Sequence, residues 1–178
     1  ATNWQVLHLD QGVGNKLFLN TNATTASDAN MWQNTAPTSS VVSVGTAQTS
    51  NEQCIAYVWN EVEGFSKFGS FSGNGNAAGP FVYTGFAPSV IILKNITQSY
   101  NWQIRDNKRN TFNVNEASLS PSLSDAEATS SDKIDFLSNG FKIRDSGATN
   151  NGSGNTILYM AWAEHPFGGD GIAPATAR

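Results

Sequence analysis

Hydrophobic and polar residues alternate along most of the chain in short runs that Gly, Asn, Asp or Ser separate. Period-2 alternation between such turn residues is typical of β-strands. The runs are Val6–Asp10, Leu17–Leu19, Val41–Val44, Cys54–Trp59, Phe65–Phe71, Pro80–Tyr83, Val90–Lys94, Trp102–Arg105, Phe112–Val114, Phe141–Ile143 and Ile157–Trp162. Ser124–Ser131 allows one helical turn opened by a Ser or Asp cap. The pattern predicts an all-β fold of sandwich, jelly-roll-like units, in which Val90–Lys94, apolar on both faces, is a central strand.

An internal repeat divides the chain. Four anchors recur in the same order roughly 100 positions later, and such periodicity indicates related structural units. The pairs are Asn3–Gln5 with Asn101–Gln103, Ser27–Ala29 with Ser124–Ala126, Val42–Val44 with Phe141–Ile143, and Trp59–Glu61 with Trp162–Glu164. The second copy also contains residues 65–100, which have no counterpart in the first copy.

The repeat predicts two tandem β-sandwich units and a tail. Residues 65–168 form a complete unit, residues 1–64 form a first unit without its N-terminal strands, and residues 169–178 form a C-terminal tail. Missing strands leave a sheet edge or a core face open, which proteins normally cover. We therefore expect either upstream sequence or a neighbouring subunit to supply them.

Charge and composition narrow the classes of partner. The net charge is −4 and the ten Lys and Arg form no basic run, so we expect no nucleic acid partner. No apolar run approaches the ~20 residues that span a bilayer, so we expect no membrane insertion. Cys54 is the only cysteine, which excludes an internal disulfide and a Cys-rich zinc site.

The two histidines are weak candidates for catalysis. His8 and Asp10 would share one strand face, but a solvated polar face that alternates with buried Leu7 and Leu9 is the better interpretation. His165 follows Glu164 directly, and neighbours on an extended strand point to opposite faces. The repeat keeps Trp162 and Glu164 but not this histidine. We therefore predict a closing strand at this position and no catalytic residue.

The Asp and Glu residues are also weak candidates for catalysis or metal binding. Glu61 and Glu63 could in principle serve glycoside hydrolysis, but this spacing is common at strand ends. The loops 125–132 and 145–151 contain oxygen ligands suited to calcium, yet they lack the regular spacing of an EF-hand. Solvated turn residues are the preferred interpretation. We predict no metal site and no cofactor.

Tryptophan is the residue type most suited to contact a sugar. Four of the five tryptophans fall at equivalent repeat positions, Trp4 with Trp102 and Trp59 with Trp162, which predicts that they belong to the core. Trp32 has no counterpart and lies in a loop-like context. It is therefore the candidate for glycan contact, the alternative being that its ring folds back on the sandwich.

Several blocks resemble a known group of phage proteins. These blocks are Tyr57–Ser70 (YVWNEVEGFSKFGS), Thr84–Ile91 (TGFAPSVI), Asp135–Arg144 (DFLSNGFKIR), Tyr159–Phe167 (YMAWAEHPF) and Gly169–Arg178 (GDGIAPATAR). They are similar to the repeated C-terminal domains of tail-fibre-like and other virion structural proteins of tailed bacteriophages, especially marine ones. The resemblance covers nearly the whole chain and implies a β-rich component of the virion surface. It transfers no catalytic or receptor-contacting residue.

The resemblance implies attachment to the host cell surface as the leading functional hypothesis. Its partners would be other virion proteins, further copies of the chain in a homo-oligomer such as a trimer, and a host glycan or protein. Loops rich in Asn, Ser and Gly suit such recognition because their hydrogen bonding adapts. The alternatives are a capsid or tail decoration protein with a purely structural role and, less favoured, a polysaccharide depolymerase.

Overall fold

The computed structural model describes residues 3–45 and 53–166, and antiparallel strands occur in both parts. The first part contains β1 (Gln5–Val6), a 3-10 helix (Leu9–Gln11), β2 (Asn15–Phe18) and β3 (Ala26–Ser27). These strands form one sheet in the order β1-β2-β3. The predicted tail, residues 169–178, lies outside the described residues.

Two four-stranded antiparallel sheets make up the second part. One has the order β5-β10-β9-β8 and the other the order β4-β11-β6-β7. The elements are β4 (Ser66–Ser72), β5 (Phe81–Tyr83), β6 (Pro88–Asn95), β7 (Gln103–Asp106), β8 (Asn115–Ser118), β9 (Ala128–Leu137), β10 (Gly140–Ile143), α1 (Ala148–Asn151) and β11 (Thr156–Ala163). The prediction of an all-β fold is confirmed.

The main hydrophobic core lies between these two sheets. Alternate residues of each strand point inward, as the pleat requires. One sheet contributes Val82, Phe141, Ile143 and Ile134, and the other contributes Ile91, Leu93, Ile157, Tyr159, Ala161 and Ala163. Residues 65–166 therefore form a β-sandwich.

The outer face of the β4-β11-β6-β7 sheet is apolar as well. Its residues include Ile92, Leu158 and Met160, and they pack with Val6, Leu17 and Leu19 of the N-terminal sheet and with buried Trp102. β6 pairs with β11 on one side and β7 on the other, so the prediction of a central strand at Val90–Lys94 is confirmed. The sheet is covered on both faces, which explains why this run has no polar face.

Side chains join the N-terminal region to the sandwich through backbone carbonyls. Trp102 Nε1 donates to Phe18 O at 2.8 Å, and Lys94 Nζ donates to Asn22 O at 3.0 Å. Burial lowers the pKa of Lys94 to about 8, because desolvation disfavours the charged ammonium. These bonds satisfy carbonyls that the short strands leave unpaired.

The structure corrects several local predictions, among them the strand at Phe112–Val114, which lies in a loop. Residues 124–127 are not helical, and β9 begins at Ala128 within the stretch predicted as a helical turn. Cys54–Trp59 and Val41–Val44 have no strand pairing within the described residues. The last two runs correspond in the repeat to β11 and β10, whose neighbours β4, β5 and β6 have no counterpart in residues 1–64.

The structure does not confirm a second sandwich. Residues 3–45 form a single three-stranded sheet that packs on the outer face of the sandwich. The repeat nevertheless has a structural counterpart. Val6 and Ile104 each directly follow a repeated Asn-Trp-Gln, and each pairs with a leucine, Leu17 or Leu119. The division at residues 64 and 65 stays a prediction.

Candidate functional site

Trp32, the residue proposed from sequence for glycan contact, is buried. Only 7% of its surface is exposed, and its Nε1 has no hydrogen-bond acceptor within the residues that the structure describes. A ring buried to this extent presents no face to a sugar. The alternative interpretation, a loop residue that folds inward, agrees with this burial.

The other four tryptophans do not share one environment. Trp102 is 1% exposed, whereas Trp4 is 59% exposed and Trp59 is 58% exposed. Trp162 is half-buried. The prediction that all four belong to the core is wrong for Trp4 and Trp59, because within the described residues no second sheet lies over them.

His8 is structural. Its Nδ1 accepts from the backbone N–H of Asp10 at 3.2 Å, so its Nε2 carries the proton and donates to Tyr159 O at 3.3 Å. Burial lowers the pKa of His8, and the bond to the Tyr159 carbonyl opposes this shift. The prediction of a solvated His8 is wrong. The imidazole bonds to the backbone N–H of Asp10.

The acidic candidates are engaged in separate contacts. Glu164 Oε1 lies 2.7 Å from Lys108 Nζ, whereas His165 Nε2 is 3.9 Å from the same oxygen. The hydrogen bond from Lys108 lowers the pKa of Glu164, so this side chain stays ionised at neutral pH. Glu61 Oε1 accepts from Phe68 N at 2.9 Å at the edge of β4. Glu164 is therefore engaged mainly with Lys108, and Glu61 with the backbone of β4.

A buried polar network joins the two loops that were weighed for calcium. Gln103 Nε2 donates to Asp132 Oδ2 at 2.8 Å, and Gln103 Oε1 accepts from Arg105 Nη2 at 3.1 Å. Burial lowers the pKa of Arg105 to about 10. The negative charges of Asp132 and Asp145 act against this shift, because they favour the charged guanidinium. Burial raises the pKa of Asp145, and the charge of Asp132 adds to this. The two carboxylates thus compensate a buried guanidinium.

The side chains of this network do not form a cluster of metal ligands. Within residues 3–45 and 53–166, no group of three or more His, Cys, Asp or Glu side chains is placed to hold a metal ion. The sequence signal for the network was Arg105 itself, a charged residue at an inward position of an alternating strand. Such a position requires opposite charges from facing elements.

Residues 53–62 form an exposed apolar segment, called the assembly segment below. Ile55 is 82% exposed and Val58 is 70% exposed. Its C-terminal end is attached to β4 by the bridge between Val62 and Ser66 and by the hydrogen bond from Phe68 N to Glu61 Oε1. Its repeat counterpart is β11, which pairs with a strand on each side. A sequence that resembles a central strand therefore lies at the surface, and residues 55–60 belong to no strand of the part that the structure describes.

Aromatic rings cover the base of the assembly segment. Tyr57 stacks on Trp59 with ring centroids 6.2 Å apart, and Trp59 meets Trp162 edge to face at 6.2 Å. Phe68 of β4 meets the same Trp162 ring at 5.6 Å. β4 is an edge strand of its sheet. The assembly segment bonds to this edge at Ser66 and Phe68, and the rest of the edge pairs with no strand within the described residues.

One end of the sandwich carries a pocket of about 380 Å³, called the end pocket below. The start of β6, the end of β9 and the residue after β11 surround it, and the loop between β7 and β8 closes it. Its lining consists of Ala87, Pro88, Asn107, Asn110, Thr111, Phe112, Asn113, Phe136, Leu137 and Glu164. Polar amides, one carboxylate and an aromatic ring thus meet at one site.

The loop that closes the end pocket is fixed by its own side chains. Asp106 Oδ1 accepts from the backbone amides of Lys108 and Arg109, both at 2.9 Å. Asn110 Oδ1 accepts from Glu116 N at 2.9 Å and from Ala117 N at 2.7 Å. Phe112, in contrast, is 84% exposed. The loop therefore holds an aromatic ring in solvent.

Comparison with known proteins places the chain in a family. No curated protein and no solved structure matches it. No helix within the described residues has the length and apolar character that crossing a membrane requires. Residues 1–166 match a family described as a domain of unknown function, DUF7483. Since the match spans most of the 178 residues, the chain belongs to the DUF7483 family.

Proposed function

We propose that the chain is a structural module on the surface of a tailed-phage particle, tail-fibre-like in character, that assembles with other chains and takes part in attachment to the host. The resemblance of Tyr57–Ser70, Thr84–Ile91, Asp135–Arg144 and Tyr159–Phe167 to phage virion proteins supports this role. In the fold, these blocks lie on or beside strands of the two sandwich sheets.

The assembly segment is the observation that carries this proposal. Its apolar side chains are exposed, and its repeat counterpart β11 needs a strand on each side. Exposed apolar strands pair readily with a strand of another chain, since the backbone supplies hydrogen bonds and alternate side chains supply packing. A homo-oligomer, a trimer among others, places the edge strand β4 of one copy next to the assembly segment of another.

Charge substitution in the assembly segment tests this arrangement. The chain is expected to self-associate, whereas the double variant Ile55→Asp/Val58→Asp is expected to stay monomeric, because two carboxylates on a buried strand carry a large desolvation cost. Sedimentation velocity over a range of concentrations measures the difference. Both residues are highly exposed in the single chain, so the far-UV circular dichroism of the double variant should match that of the unmodified chain.

Leu123→Asp is the matched control, since Leu123 is an exposed apolar residue outside both the assembly segment and β4. It should associate like the unmodified chain. A chain that stays monomeric at every concentration, or a double variant that associates as strongly as Leu123→Asp, would contradict the arrangement.

Attachment is tested on intact phage particles. An antibody against the chain should label the particle surface in electron micrographs and should reduce adsorption to host cells without lowering the heat stability of the particles. Lower particle stability with unchanged adsorption would instead favour a decoration protein. New reducing ends or unsaturated products after incubation of host polysaccharide with the pure chain would favour a depolymerase.

A further inference from the structure

We propose that the end pocket binds a neutral pyranose sugar, with the ring of Phe112 stacked against one face of the sugar. This inference rests on the proposed attachment role and names the class of ligand and the residues that contact it. About 380 Å³ lies at the lower end of the range for small-molecule sites, which is ample for one or two sugar rings.

Phe112 is the first element of the site. Its ring is 84% exposed, although Phe is among the residues that proteins most often bury. The C–H groups on one face of a pyranose are apolar and carry a partial positive charge, which complements the electron-rich face of an aromatic ring. Exposure therefore leaves the ring free to stack.

Hydrogen-bonding groups around the ring are the second element. Glu164 supplies a carboxylate that stays ionised, and the lining includes the amide side chains of Asn107 and Asn110 and the hydroxyl of Thr111. Vicinal sugar hydroxyls both donate and accept, so acceptors and mixed groups side by side match them. This set is polar without being basic.

Rigidity is the third element. Asn113 pairs with the backbone of Phe136 as a neighbouring strand would, with Oδ1 accepting from its N–H at 2.9 Å and Nδ2 donating to its carbonyl at 2.8 Å. Asn115 Nδ2 also donates to Asp106 O at 2.7 Å. A loop fixed before binding loses little conformational entropy when the ligand arrives, which favours affinity at a shallow site.

Charge decides between neutral and acidic sugars. Lys108 is a cation at this pocket, and its ammonium is paired with Glu164 at 2.7 Å. The whole chain carries a net charge of −4. A uronic acid would bring a carboxylate next to Glu164, where like charges repel. The pocket therefore favours neutral hexoses and N-acetylhexosamines.

A panel of immobilised neutral hexose, N-acetylhexosamine and uronic-acid oligosaccharides tests the site. The chain should bind at least one neutral sugar, and Phe112→Ala should weaken this binding about tenfold, the value expected for loss of one stacking contact. Glu164→Gln should also weaken it. Trp4→Ala, which removes an exposed aromatic ring elsewhere, should bind like the unmodified chain.

The outcomes separate this inference from the attachment role. If the chain adsorbs to host cells and Phe112→Ala adsorbs equally well, the end pocket is not the sugar site and the attachment role stands. If the chain does not adsorb to host cells at all, the attachment role itself fails. Binding to uronic-acid oligosaccharides alone, or to no sugar on the panel, would overturn the assignment of a neutral pyranose.

Discussion

Replacing Trp102 with Ala is expected to lower the free energy of unfolding by about 3–5 kcal/mol, the typical cost of removing a large buried aromatic side chain. Trp102 is 1% exposed and packs with Leu17 and Leu158 between the N-terminal sheet and the sandwich. The change also leaves Phe18 O without its indole donor. Urea unfolding followed by circular dichroism measures the loss.

Trp4→Ala is the matched control, because Trp4 occupies the equivalent position in the repeat but is exposed. Its backbone N–H bond to Asn20 survives the substitution. Its effect should stay within about 0.5 kcal/mol, as for most surface substitutions. Equal losses for the two variants would show that the N-terminal region does not dock on the sandwich as described.

Replacing Arg105 with Met is expected to cost a similar amount, about 3–5 kcal/mol, because it removes the cation from a buried charged network. Arg105 is completely buried, and Asp132 and Asp145 act on it electrostatically. Met keeps much of the apolar volume, so the loss reports mainly on charge. Lys133→Met is the control, since the pair of Lys133 with Glu116 is exposed at both ends and should contribute only about 0–1 kcal/mol.

The difference in the free energy of unfolding between Arg105→Met and the unmodified chain should become smaller in acid. The pKa of Asp145 in the folded chain already lies above its ordinary value of 3.8, and loss of the guanidinium raises this pKa further. The folded variant then binds protons more tightly than its unfolded chain, so its stability rises as the pH falls from 7 towards 4. Urea unfolding at a series of pH values checks this. A difference between variant and unmodified chain that does not shrink in acid would contradict the network.

Much of the sandwich could be predicted because its strands alternate cleanly. β4, β6, β10 and β11 lie within about two residues of the predicted runs. β9 escaped prediction, since its first half, Ala-Thr-Ser-Ser-Asp, is polar and no alternation marks it. Its pairing comes from the neighbours β8 and β10, which a local pattern does not contain.

Residues at equivalent positions of the repeat do not have equivalent surroundings in the structure. Trp4 and Trp102 share their local sequence, but burial depends on the strands that surround each one. Phe112 was assigned to a strand, and the structure places it in an exposed loop. The end pocket escaped prediction, because it combines residues from the ends of several strands that are distant in the chain.

The bond between His8 and Tyr159 has a consequence for the order of folding. The two residues are 151 positions apart, and β11 is the last strand described. During synthesis, the N-terminal strands leave the ribosome long before the face on which they dock exists. Contacts this distant along the chain form late and slow folding. The strands β1 to β3 are therefore made before β11 but reach their final place only after it, and until then their apolar side chains stay in solvent.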